Sequence, residues 1–342
     1  MCNHAPPQLS PASASSTSPQ WTRRRRTSSC HPSATSPSTY RDGDGHTWLI
    51  HHARRYRELE GIVINTFQEL EPFALSSLSR SLSPPVYAIG PVLDLNGPIQ
   101  WHPNRAQQVA IMQWLDQQPR SRVVFLCFGS MGSLSVPQVR EIAAGLEQSG
   151  QRFLWSLREP PKGKIHLPTD YSNFNDVLSK DFLERTAEIG LVCGWVPQVT
   201  VLAHPAIGGF VSHCGWNSIL ENLWHGVPIA TWPVYAEQQM NAFEMVRELG
   251  LAVEIRLDYR EGSDLVRAEE VERGVRALME GDGDVRRKVK EMSKMSQTTV
   301  MEGGSSDGSL DSLDIPYHCH HGLEMTAVRG RESDAANAWA TS

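Results

Sequence analysis

HPAIGGFVSHCGWNSILE, residues 204–221, runs from an apolar stretch through a glycine-bearing corner into a helix-forming one. Ile207–Ser212 is short and apolar, as a strand covered on both faces should be. The corner His213-Cys214-Gly215-Trp216-Asn217-Ser218 follows, and Glu221 falls on the first turns of a helix expected over Trp216–His225. Backbone N–H groups and small polar side chains gather at that helix N-terminus, which favours an anion such as a diphosphate. His213, just ahead of the turn, is placed to donate to a phosphate oxygen, and Glu221 to accept from ribose hydroxyls. In the competing reading Asn217 and Ser218 merely cap the helix. The stretch alone leaves the two open.

The same alternation continues outward. Arg122–Phe128 reads as a β-branched and aromatic strand ending in Gly129-Ser130-Met131-Gly132-Ser133, with a helix from about Pro137 to Gln148 and a strand at Arg152–Leu157. Further strands are expected at Leu191–Gly194, Pro228–Trp232 and Ala252–Ile255, and helices over Gln238–Leu249, Ala268–Glu280 and Val285–Thr299. This pattern predicts an α/β fold, a Rossmann-like parallel sheet with helices on both faces. Ligands of such sheets bind outside the carboxyl ends of the strands, so the loops after Phe128, Gly194, Ser212 and Trp232 are the candidates. Upstream, Gly61–Asn65 reads as a short buried strand that has lost its parallel neighbours, with residues 51–60 as a helix packed on it. Leu82–Gln107, rich in Pro and Gly, reads as a linker.

Two more corners carry candidate chemistry. Gly194-Trp195-Val196-Pro197-Gln198 offers an indole face for a base and a glutamine for its edge. Core packing is the usual fate of a tryptophan, but Trp195 sits at a strand end beside a proline. Pro228–Gln239 is another strand-to-helix turn; it presents Glu237 and Gln238 at the helix start, suited to the hydroxyls of a hexose or else to capping by Glu237.

Trp195 through Gln238 resembles the signature box of plant secondary-product UDP-glycosyltransferases: WVPQ at 195–198, the quoted 204–221 core, then GVP, WP and EQ at 226–228, 232–233 and 237–238. The similarity extends from about Asp42 to Ser306, through Ala53-Arg54-Arg55, Gly61–Glu71, Ile89-Gly90-Pro91 and Phe128-Gly129-Ser130. It is strongest towards glucosyltransferases of phenolic and isoprenoid acceptors. The resemblance implies a GT-B architecture of which this chain carries the carboxyl-terminal half, the amino-terminal half being largely missing. It implies a donor site in which Trp195 stacks on uracil, with the Val196 backbone and Gln198 at the base edge. Glu221 would bind ribose, His213, Asn217, Ser218 and Ser130 the diphosphate, and Glu237 and Gln238 the sugar; Trp216 belongs to the same implied set. A glutamine at position 238 goes with glucose, so UDP-glucose is the implied co-substrate, with no cofactor and no metal. The implied partners are a UDP-sugar donor and a small phenolic or isoprenoid acceptor, with no nucleic acid and no membrane span, for a monomer.

The family's inverting transfer uses a histidine after a strand and Pro-rich turn near the start of the amino-terminal half, oriented by a downstream aspartate. No such segment is found here: His4 and His31 lie in Ser/Pro-rich sequence, and Gly45-His46 corresponds to the end of that half. No catalytic residue is assigned, and the expectation is a truncated form that binds UDP-glucose and transfers sugar poorly, if at all. An active enzyme is the alternative.

The 342 residues are 40% hydrophobic with net charge −6, enough for a sizeable core and unlike a general polyanion binder. Six cysteines without paired spacing suggest neither a disulfide framework nor a thiolate metal site. No apolar run approaches the ~20 residues of a membrane span, so a cytoplasmic protein is expected. The expected domains are 1–41, a disordered or non-native Ser/Pro/Arg-rich segment; 42–90, a remnant of the acceptor domain; 91–119, a linker; 120–306, the UDP-sugar-binding domain; and 307–342, a disordered tail. Arg23–Arg26 leaves a basic-armed interaction protein as the reading from another class, and His318-Cys319-His320-His321 lacks the spacing of a tetrahedral zinc site.

Overall fold

The computed structural model describes residues 44–81, 84–95, 105–163, 167–257, 265–280 and 283–313. Arg23–Arg26 and His318–His321 lie outside them. The chain runs through helix α1 (Asp44–Arg55), strand β1 (Ile62–Ile64), α2 (Pro72–Ser81), β2 (Val86–Ala88) and α3 (Arg105–Asp116). Then come β3 (Val123–Cys127), α4 (Val136–Ser149), β4 (Arg152–Ser156), a small β5–β6 hairpin (Arg158–Glu159, Thr169–Asp170), α5 (Lys180–Thr186) and β7 (Gly190–Cys193). The remainder is α6 (Gln198–Ala203), β8 (Ile207–Ser212), α7 (Trp216–His225), β9 (Ile229–Thr231), α8 (Gln238–Phe243), β10 (Ala252–Glu254), α9 (Ala268–Met279), α10 (Asp284–Thr299) and α11 (Ser305–Asp311).

Six strands form one parallel sheet in the order β7-β4-β3-β8-β9-β10. The chain enters at the centre, winds out through β4 and β7, then returns to the other side of β3 for β8, β9 and β10. The strand order therefore reverses between β3 and β8, the point at which open parallel sheets bind ligands in a crevice between the flanking loops. The expected α/β sheet covered on both faces is what forms. The two-residue alternation of β3 divides the core. Phe125 and Cys127 join Leu115 of α3, Leu202 of α6, Leu220 of α7 and Val289 of α10. Val124 and Leu126 face the other way, onto Ile142 of α4, Phe182 of α5 and Val275 of α9. Helix boundaries follow local chemistry. Pro137 sits in the first turn of α4, while Gly150 (φ +65°) and Gly226 (φ +67°) close α4 and α7 in the left-handed conformation that a Cβ disfavours.

Several expectations for the flanks need correction. Strand β1 is not bare: β2, inside the stretch read as linker, pairs with it in parallel, Ile62 opposite Val86. Phe67 and Leu70, just after β1, are fully buried in the same core as α3 and α7. Residues 51–60 are exposed throughout, so they do not pack on β1 as expected. The 91–119 stretch carries α3, whose Ile111 and Leu115 are buried. Nor does order stop at 306, because α11 continues to Asp311. Its Ser306 Oγ donates to the Gly90 carbonyl (2.5 Å) and its Ser305 Oγ to the Glu69 carboxylate (3.0 Å), tying it to the β1–β2 unit. The helix expected over Gln238–Leu249 is α-helical only to Phe243 and continues as a π-turn over Glu244–Glu248.

Candidate functional site

Because β3, β7, β8 and β9 are parallel, the loops after Cys127, Cys193, Ser212 and Thr231 leave one edge of the sheet. At the reversal point the His213 ring lies between two glycines. A Cβ at Gly129 or at Gly215 would stand 2.6 Å from its Nε2, and Gly129 also has φ +79°. Only glycine leaves room for the ring at both positions. His213 is 6% exposed, and its Nδ1 is buried with no partner among the described residues. Five other buried side-chain atoms of the described residues also lack a partner, so it is the position of this one at the reversal point that makes it a candidate ligand contact. Burial pushes the ring's pKa down to about 4, so it is neutral near pH 7.

That shift sets a pH dependence. Below about 6.5 the unfolded chain takes up a proton that the folded ring refuses until about 4. The ring's contribution to stability is therefore lost as pH falls across that window, by roughly 3 kcal/mol. Its NMR resonances should stay still through pH 6 and move only near 4; a midpoint near 6.5 would show that the ring is not enclosed.

The corner at 195 is bonded to the helix after β8. Gln198, first residue of α6, donates from Nε2 to Ser218 Oγ (2.8 Å) and to Glu221 Oε2 (2.5 Å), both on α7. Three residues singled out in the sequence thus form one hydrogen-bonded group. Burial pushes the Glu221 carboxyl's pKa up; the Gln198 hydrogen bond pulls it partway back, and the charge of Asp94 adds to the rise. The third corner is joined to the second by Asn241 of α8, whose Nδ2 donates to the Cys214 carbonyl (3.0 Å) and supports a residue held at φ +63°. Neither capping alternative is seen: Gly215 precedes α7 and Glu237 precedes α8 as N-caps, each without a side-chain cap hydrogen bond.

The remaining predicted residues distribute as follows. Ser130, Asn217 and Glu237 are exposed, Trp195 is half-buried and Val196 is buried in the core. Gln238 is 1% exposed, its Oε1 accepting from the Val234 and Tyr235 N–H groups at 2.9 Å each, so that oxygen braces its own turn. Trp216 is half-buried, its indole Nε1 donating to the Asn65 carbonyl after β1 (2.7 Å). Sequence reading missed Asn241 and Asp170, the latter accepting the Trp195 backbone N–H at 2.9 Å. No spacing or composition signal marks either, since each acts through contacts across the fold. Among the described residues no helix is long and apolar enough to cross a membrane.

Comparison with known proteins follows the same line. The pattern of the family described as UDP-glucoronosyl and UDP-glucosyl transferase matches residues 85–282. UDP-glycosyltransferase 43 of Pueraria montana var. lobata is 66% identical over 271 residues, 79% of this chain and 58% of the relative. UDP-glycosyltransferase 71K1 of Malus domestica is 61% identical over 264 residues, 75% of this chain and 55% of the relative. The crystal structure of a UGT transferase from Siraitia grosvenorii in complex with UDP superposes with TM-score 0.75 at 55% identity, covering 80% of this chain and 64% of that one. UGT71G1 of Medicago truncatula, complexed with UDP-glucose, gives 0.68 at 50% identity, covering 76% and 55%. The chain spans less than two thirds of the length of these relatives. With its parallel sheet, its reversal-point crevice and a family pattern matched over more than half its length, the chain belongs to the plant UDP-glycosyltransferase family.

Proposed function

We propose that the crevice between β3 and β8 binds the UDP moiety of a UDP-sugar, with glucose as the sugar, and that the chain supplies the donor side of an inverting hexose transfer to a hydroxyl of a small plant metabolite. The observation that carries this is the joining of the segments after β3, β7 and β9 to the corner after β8: Gln198 to Ser218 and Glu221, His213 between Gly129 and Gly215, and Asn241 to Cys214.

In this reading Trp195 stacks on uracil, and the Val196 backbone and the Gln198 Oε1 meet the base edge, since the Gln198 nitrogen is already engaged. Glu221 accepts from the ribose. Ser218, which accepts from Gln198, keeps its own hydroxyl proton for a phosphate oxygen; Asn217, Ser130 and His213 add donors beside it. Glu237 and the amide nitrogen of Gln238 address the sugar. The positive end of α7 and these neutral donors offset charge that develops on departing UDP. Trp216, whose indole is held by the Asn65 carbonyl, opens α7 beside these donors as part of the same set.

His213 is unsuited to deprotonating an acceptor, because a base of pKa about 4 is far from the operating pH. Of the other histidines whose side chains are described, His204 contacts Asp116 (3.1 Å), His225 ends α7 away from the crevice, and His51 and His52 are exposed on α1.

UDP should raise the melting temperature of the chain, and Trp195→Ala should need about tenfold more UDP for the same rise, as expected when one base loses its stacking partner. No rise at millimolar UDP overturns the reading.

A further inference from the structure

We propose that Asp170, held in place by Arg158, is the positioning residue for the uracil side of the donor site. The inference rests on the reading of Trp195 as the residue that meets the base.

The peptide unit between Gly194 and Trp195 is fastened at both of its polar ends. Its carbonyl, on Gly194, accepts from Ser156 Oγ at 2.8 Å, and its N–H, on Trp195, donates to Asp170 Oδ1 at 2.9 Å. A peptide plane fixed at both ends leaves little freedom in the backbone bond leading to the Trp195 Cα, and so sets the direction in which the indole departs. The carboxylate that does this is itself restrained. Arg158 Nε lies 3.0 Å from the same Asp170 Oδ1, and the Arg158 side chain is only 13% exposed. The two residues stand directly opposite each other in the β5–β6 hairpin. Arg158 also donates to the carbonyls of Pro168 and Thr169, closing the hairpin on itself. Contact is close enough that a Cβ on Gly194 would overlap the Asp170 carboxyl, so position 194 is kept bare by this carboxylate and not by any unusual φ.

Restraint thus passes from hairpin backbone to guanidinium, from guanidinium to carboxylate, and from carboxylate to the peptide that carries the indole. Asp170 is 25 residues from Trp195 in sequence and outside the 195–238 box. It is a positioning residue because it acts on the base through Trp195.

The test compares two probes, UDP and inorganic diphosphate, which shares the phosphates and lacks the uracil. Asp170→Ala should weaken UDP binding about tenfold, the effect of one lost charge-assisted hydrogen bond, and leave inorganic diphosphate affinity unchanged. Asp170→Asn retains an acceptor for the Trp195 N–H and should recover most of the loss. Arg158→Gln should fall between the two. Parallel loss of both probes, or intact UDP affinity in Asp170→Ala, overturns the inference, as does an Asn variant no better than Ala. Should Asp170→Ala fail to fold, the Asn and Arg158→Gln variants decide by the same ratio of probes. Trp195→Ala separates the two levels. If it weakens UDP while the Asp170 variants do not, only the positioning role fails; if it has no effect on UDP, the base-stacking reading fails and this inference with it.

Discussion

Replacing Glu221 with alanine should remove most of the chain's affinity for UDP while leaving the ligand-free fold at least as stable. A half-buried carboxylate that, as proposed, accepts from two ribose hydroxyls contributes about 3 kcal/mol, on the order of 100-fold in the dissociation constant. The stability half of the prediction comes from the direction of the Glu221 shift. Its carboxyl is pushed above the ordinary value by burial, so the folded chain holds the charge at a cost near pH 7 that disappears below the ordinary carboxylate range. Alanine removes that cost along with the hydrogen bond from Gln198. Function and stability are opposed at this position, as expected where a site is prepared for a ligand that is not yet there. Calorimetric titration with UDP and a melting curve without it decide the matter together. A variant that binds poorly and also melts many degrees lower would make Glu221 a structural residue.

The largest loss of stability is expected from Phe210→Ala. Phe210 lies on β8 beside the reversal point, is fully buried, and faces Phe125 in register on β3 with ring centroids 5.2 Å apart and planes 12° from parallel. The substitution removes a transfer contribution and leaves a cavity bounded by strands that cannot close inward, for about 4 kcal/mol, against a whole-domain stability of order 10 kcal/mol. The melting temperature should fall by roughly 10 °C. UDP should still raise it by the usual increment, because the loops of the site are anchored on their own bonds. A fall of a degree or two would mean that the sheet centre is loosely packed.

What could be read from the sequence, and what could not, divides along a physical line. Strands such as Ile207–Ser212 and helices such as Trp216–His225 were legible because both faces of the sheet are covered, which imposes short apolar runs and clear glycine stops. The loops to inspect followed from that pattern, and so did the pairing of small polar residues with helix starts. Strand β2 escaped notice because three residues between prolines and glycines carry no periodicity, and only their partner β1 makes them a strand. The exposure of residues 51–60 was equally hidden, since a helix-like pattern does not say whether anything lies opposite. Within the candidate site, the sequence named residues but not the bonds among them. The bonds of the Trp216 indole to Asn65 and of the Gln238 Oε1 to its own turn involve backbone groups that no local reading could supply. Asp170 and Asn241 became visible only when distant segments were brought together.

The imidazole clasped by Gly129 and Gly215 bears on how such a scaffold can be retargeted. Sequence variation at those two positions is closed off by space alone, whichever sugar nucleotide is wanted, since the smallest added carbon displaces the ring. Room for a new preference lies instead at Tyr235 and Glu237, whose side chains are exposed, while Ala236 between them is held at φ +54°. A library that spared the clasp and varied that rim would place its diversity where the protein can absorb it.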